Sequence, residues 1–261
     1  MGDRSGERSL ATLLTDARMH ASQIDALPND LVPRSNADGY AVAVDIADRL
    51  GWEPLGWKIA GTTQAVREKL RIDEPIYGRT YRRFAHASPC TLPHSELLDP
   101  LVECEFFVTL AQDLPWRDTP WSRDDVRSAI GTVHAGVEVA ECRFPNGALP
   151  PLSAILADGA ASGRYVFGHE IPNWRDGLSD MAVVLDVDGQ PRRHGTGHDV
   201  MGDPITPLHW LAETLRGRGM GLLSGETIST GSCTGMFPVK SGAEIVAHFG
   251  DQARVEIAFA P

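Results

Sequence analysis

Apolar residues recur at helical spacing near the start of the chain, at Leu10, Leu13, Leu14, Ala17, Ala21 and Ile24, and predict a first helix there. A second helix is expected to end at Leu50, with Asn36 or Asp38 as its cap, and the proline-containing stretch 27–35 separates the two. Beyond Gly51 the period shortens from that of a helix to that of a strand. Short β-like runs with Gly and Pro punctuation cover 55–60, 101–110, 133–144, 164–167, 181–187, 226–230, 244–249 and 254–259. Three interior segments keep a helical period: 62–70, 122–130, and 204–217 with its Leu208, Leu211, Ala212 and Leu215 face. Asp188-Gly189 has the composition of a two-residue hairpin turn. The pattern shows no repeat and no low-complexity linker. It predicts an α+β chain with a helical N-terminal cap over 1–50 and a strand-rich body over 51–261.

A chain of 261 residues with 42% hydrophobic and 23% charged residues can bury a sizeable core, which excludes a disordered or fibrous protein. The net charge of −11 disfavours nucleic acid and anionic membrane surfaces as partners. Cys90, Cys104, Cys142 and Cys233 are scattered without a C-x-x-C pair, so neither a disulfide framework nor a thiolate zinc site is expected. No window approaches the length of a membrane span and no basic leader opens the chain, so a cytoplasmic protein is expected.

The segment 101–110 changes this bland picture. Val102, Cys104, Phe106, Val108 and Leu110 alternate as one apolar face, which puts Glu103 and Glu105 together on the other, about 7 Å apart along a strand. In the run 133–141, Glu138 lies opposite Val133, Val137 and Val139 and adds a third carboxylate. Such groups are tolerated when exposed, protonated or neutralised by a cation. A solvated strand face accounts for many E-x-E patterns. Three carboxylates with no nearby Cys/His ligand pattern would suit a hard cation with open positions, Mg²⁺ or Mn²⁺ rather than Zn²⁺.

The order of motifs resembles the fumarylacetoacetate hydrolase superfamily, most closely its 2-keto-4-pentenoate hydratases and 4-oxalocrotonate decarboxylases. The resemblance runs from about Leu55 to the C-terminus. It rests on Gly56-Trp57-Lys58-Ile59 with Thr62, on Asp73 to Gly78, on Val102-Glu103-Cys104-Glu105, and on Val137 to Arg143. Further on, it rests on Ala157-Asp158-Gly159-Ala160-Ala161-Ser162-Gly163, Val200-Met201-Gly202-Asp203-Pro204, Thr230-Gly231-Ser232 and the run Pro238 to Gly242. The resemblance implies a mixed β-roll or barrel body and a homo-oligomer built from dimers. It implies Glu103, Glu105 and Glu138 as metal ligands, Lys58 as catalytic base or acid, and Asp158, Ile76, Thr230, Gly231 and Ser232 in substrate binding. A dication chelated by the carboxylate and 2-oxo oxygens of a small 2-oxo acid would stabilise the enolate formed during proton transfer, and a lysine beside it would have its pKa lowered.

Two departures bear on the subtype. Ile76 stands where the hydratases usually carry an acidic residue after the proline, and Pro75-Ile76-Tyr77 looks more like the decarboxylases. Gly159 replaces the usual Asn after Asp158. Other signals carry less. Gly231 to Gly235 has nucleophile-elbow spacing, but Met236-Phe237-Pro238 does not continue into a helix. Gly195 and Gly197 break any helix that would align His194 with His198, which favours a loop. The superfamily's C–C hydrolases use a His and a Glu three residues apart, and none of the nine histidines has that Glu. The sequence therefore predicts a divalent-metal-dependent lyase acting on a small 2-oxo or 2-hydroxydienoic acid, hydratase-like. The alternatives are a decarboxylase, an acylpyruvate-type hydrolase and a non-catalytic member of the fold.

Overall fold

The protein is described by a computed structural model over residues 9–261; residues 1–8 of the expected cap lie outside the described residues. Helix α1 (Leu10–Met19) is capped by the Ser9 hydroxyl and stops before Ala21, whose positive φ ends the helical path, so Ile24 packs from the following loop. Helix α2 (Asn36–Leu50) is capped by Ser35 rather than Asn36 or Asp38. An N-cap must be extended, and only Ser35 is; the Asp38 N–H is the donor it satisfies, at 3.1 Å.

The body follows as β1 (Pro54–Ala60), α3 (Gln64–Leu70), β2 (Ile76–Tyr81), β3 (Ala85–Ala87), β4 (Cys90–Pro93), β5 (Leu101–Leu110), α4 (Arg123–Ser128), β6 (Ile130–Ala140) and α5 (Leu152–Ala157). It continues as β7 (Arg164–Glu170), β8 (Ala182–Val187), β9 (Gln190–Thr196), α6 (Ile205–Arg216), β10 (Thr227–Ser229), β11 (Phe237–Pro238), β12 (Glu244–Phe249) and β13 (Ala253–Ala260). The run expected over 133–144 leaves its sheet after Ala140, where the Glu141 N–H turns to the Ala161 carbonyl. The stretch holding His194 and His198 is not a plain loop. Asp188-Gly189, both at positive φ, closes a hairpin whose return strand is β9, and His198 lies on the short 3₁₀ turn beyond it.

The strands form two mixed sheets. The larger runs β2-β1-β10-β5-β6-β7-β3, with β11 added to β5, and the smaller runs β4-β13-β12-β8-β9. Parallel pairing of β1 with β10 and of β3 with β7 interrupts the otherwise antiparallel large sheet. One face of the large sheet carries Ile59, Val102, Cys104, Phe106, Val108, Val137, Val139 and Ile228 and packs against the small sheet and Leu208, Leu211 and Leu215 of α6. This is the main core. The N-terminal helices share a separate apolar cluster with the body, in which Leu10, Leu14 and Ile46 meet Phe144, Ala154 and Ala157. Among the described residues no helix is long and apolar enough to cross a membrane.

Candidate metal centre

The opposite face of the large sheet holds the carboxylates. In the β5–β6 ladder Glu103 stands directly opposite Glu138, and Glu105 stands opposite Gly136. Directly paired residues share a face, so the three side chains converge, with one oxygen from each within 4.8 Å of the others. The strand is central in its sheet and covered on both sides, which excludes the solvated reading: Glu103, Glu105 and Glu138 are 6%, 1% and 0% exposed. Gly136 is required there, because a Cβ would lie 2.5 Å from the ring of Phe107.

Lys58 comes to the same face from β1. It is 1% exposed, pairs in register with Ser229 of β10, and places Nζ 2.9 Å from Glu138 Oε1. Ser229 donates its hydroxyl to Glu105 Oε2, and the Gly231 N–H donates to the same oxygen at 2.9 Å. Gly231 has φ +108°, and a Cβ on it would meet the Thr62 side chain at 2.5 Å, so only glycine fits this turn. Tyr165, which pairs with Glu138 across β6 and β7, donates its hydroxyl to Glu138 Oε1 at 3.1 Å. Among the described residues Glu138 Oε2 is buried without a partner.

The electrostatics ask for a cation. Burial, reinforced by the charge of Glu138 and opposed by Lys58, pushes the Glu103 carboxyl up to about 7. Burial and the charges of Glu138 and Glu103 lift Glu105 well above the ordinary carboxylate range, against its bonds from Ser229 and Gly231. Burial pulls the Lys58 ammonium down, but Glu138, Glu103 and Glu105 outweigh it and hold its pKa above the ordinary lysine value. That direction is opposite to the lowering expected beside a dication, because the three anions dominate when no cation offsets them. Three ionised carboxylates against one ammonium leave two negative charges, the deficit a dication fills. The orphaned Glu138 oxygen and an all-oxygen donor set fit a hard divalent ion.

The other expected site residues lie as follows. Thr230 is fully buried and donates its hydroxyl to the Phe106 carbonyl at 3.0 Å, whereas the Ser232 hydroxyl is buried without a partner among the described residues. Asp158 is fully buried between Arg143, Nε to Oδ1 at 2.7 Å, and Arg18, at 3.2 Å. Ile76 pairs with Ala60 and packs with Leu156 and Ala160 in an apolar cluster. Burial raises the Cys233 thiol well above its ordinary value, which leaves it inert and agrees with the broken elbow. Sequence reasoning missed Ser229 and Tyr165. Both lie on strands it predicted, and their pairing with Lys58 and Glu138 is a matter of register between distant segments.

Known proteins resemble this chain in sequence and in fold. A 2-keto-4-pentenoate hydratase of Burkholderia vietnamiensis is 28% identical over 264 residues, 99% of each chain. A 4-oxalocrotonate decarboxylase of Pseudomonas putida is 28% identical over 255 residues, 96% of each. The solved structure of a 4-oxalocrotonate decarboxylase from Pseudomonas putida, complexed with magnesium and adipate, superposes with a TM-score of 0.88 at 28% identity, covering 96% of this chain and 95% of that one. Residues 61–260 match the family model described as fumarylacetoacetate (FAA) hydrolase C-terminal, and the chain belongs to the fumarylacetoacetate hydrolase family.

Proposed function

We propose that the protein is a divalent-metal-dependent lyase acting on a small 2-oxo or 2-hydroxydienoic acid, in the manner of its hydratase relatives. The observation that carries the reading is the buried set of Glu103, Glu105 and Glu138 with the Lys58 ammonium 2.9 Å from Glu138. Glu103, Glu105 and Glu138 would hold Mg²⁺ or Mn²⁺, which supplies a Lewis acid and two positive charges for an oxyanion-bearing substrate. Lys58 moves the proton. Among the described residues it is the sole ammonium beside these carboxylates, its Nζ is fixed by Glu138, and its burial keeps competing water away. Ser232, next to Gly231 and with a buried hydroxyl that has no partner among the described residues, is the donor available for the substrate carboxylate. Thr230 and Gly231 support it by shaping the turn, their own donors being engaged by Phe106 and Glu105. The finer expectations, a cytoplasmic place and a homo-oligomer built from dimers, belong to this proposal and rest on the scattered free cysteines and the family resemblance.

A specific observation favours decarboxylation as a second reading. Hydration requires an additional acid/base group near the distal carbon, and Ile76, in its apolar cluster, cannot titrate. Side-by-side assays of 2-hydroxypenta-2,4-dienoate and 4-oxalocrotonate with Mg²⁺, for wild type and Ile76→Asp, decide between them. Efficient hydration by the wild type without decarboxylation supports the first reading and refutes the Ile76 argument. Turnover of 4-oxalocrotonate alone establishes the second, and turnover of neither overturns the lyase reading for these acids.

A further inference from the structure

We infer that Tyr165 is a positioning residue for the cation site, holding Glu138 through its hydroxyl so that Oε2 is the oxygen left for the metal. The inference rests on the metal reading above. Glu138 Oε1 accepts two hydrogen bonds, from Lys58 Nζ at 2.9 Å and from the Tyr165 hydroxyl at 3.1 Å. Oε2 accepts none among the described residues, although it is buried and an unpaired buried acceptor is costly. The two bonds to one oxygen fix the rotation of the carboxylate. The metal-binding oxygen is thereby chosen before any ion arrives.

The direction of the hydrogen bonds follows from the donor inventory. An ionised carboxylate only accepts, so Tyr165 gives its one proton to Glu138. The Ser162 hydroxyl, 3.0 Å from the Tyr165 oxygen, must then donate to the tyrosine. Ser162 is in turn held from behind. Arg143 donates to the Ser162 carbonyl at 2.8 Å and to Asp158 Oδ1 at 2.7 Å, its own N–H bonds Asp158 Oδ2 at 2.9 Å, and Arg18 donates to the Asp158 carbonyl at 2.6 Å. The stretch 157–163, one of the motifs of the family resemblance, thus reaches the cation site through Ser162, Tyr165 and Glu138. Asp158 serves this reach as the anchor of the turn.

The test uses Mn²⁺ as the probe on the full chain, with affinity read from the free-ion electron paramagnetic resonance signal and the ligand field from the spectrum of the bound ion. Tyr165→Phe keeps the ring against Phe107 and removes only the hydroxyl. Leu55→Ala loosens the same apolar cluster without touching a polar group. The expected result is binding about 10- to 100-fold weaker in Tyr165→Phe, with an altered bound-ion spectrum, a smaller loss in Ser162→Ala, and near wild-type affinity in Leu55→Ala. Wild-type affinity and spectrum in Tyr165→Phe overturn the positioning role and leave the metal reading standing if Glu105→Gln has lost binding. Equal weakening in Tyr165→Phe and Leu55→Ala overturns it too, since packing alone then explains the effect. A wild type that does not bind Mn²⁺ overturns both.

Discussion

Lys58 and Glu138 form an ion pair sealed from solvent, with Nζ 2.9 Å from Oε1. In the proposed function the pair sets two roles against each other, because the ammonium proposed to move a proton also repels a cation held by Glu138. Replacing Lys58 by Met keeps the apolar stem and removes the charge. We expect turnover to fall by about a hundredfold or more, as for loss of a general acid or base, while Mg²⁺ affinity holds or rises. Steady-state kinetics and calorimetry on the same variant check both halves; near wild-type turnover would remove Lys58 from the mechanism.

The raised carboxyls predict a pH-dependent response to metal. Glu103 is lifted from its ordinary 4.5 to about 7, and Glu105 in the same direction. A folded-state pKa above the unfolded value gives stability that is present at low pH and lost as pH rises through the folded pKa. Without metal, Glu103 should therefore lower Tm progressively between about pH 4.5 and 7, and Glu105 acts in the same direction. Cation binding needs the ionised forms, so the Tm gain from Mg²⁺ should grow across the same window. Thermal scans with and without Mg²⁺ at several pH values check it, and a gain independent of pH would contradict the assignment. Glu103→Gln should flatten the metal-free profile.

Gly231 couples the turn 230–232 to Glu105. Alanine there meets Thr62 and a backbone angle suited to glycine, at a cost of about 1–3 kcal/mol, and it displaces the N–H that bonds Glu105. Gly231→Ala should lower both Tm and Mg²⁺ affinity. Loss of stability alone would show that the N–H does not matter to the site.

Ser232 and Thr230 should separate. Ser232→Ala removes a buried hydroxyl that has no hydrogen-bond partner among the described residues, and a hydrogen bond to a charged group is worth about 1.5–3 kcal/mol, so KM should rise about tenfold or more. Thr230→Val breaks a buried internal bond to Phe106 and should show chiefly as a lower Tm. The reverse pattern would return the substrate contact to Thr230.

Much of this was legible in the chain. Strict alternation over 101–110 placed Glu103 and Glu105 on one face, and β5 and β12 keep their expected bounds. Three signals were absent for physical reasons. β2 is buried almost throughout and shows no polar alternation, and β9 is polar throughout and owes its place to the hairpin. The pairing of Glu103 with Glu138, and of Lys58 with Ser229, is fixed by strand order and register, which no local pattern encodes. Asp158 looked like a substrate contact within its motif, and the structure gives it two buried arginines instead.

The central claim is that Glu103, Glu105 and Glu138 together hold one divalent ion, and calorimetric titration of wild type and Glu105→Gln with Mg²⁺, above neutral pH, tests it most directly. The wild type should bind one Mg²⁺ per chain, and the variant, with its fold verified by circular dichroism, should bind it weaker by orders of magnitude. Equal Mg²⁺ affinity in the two proteins would contradict it.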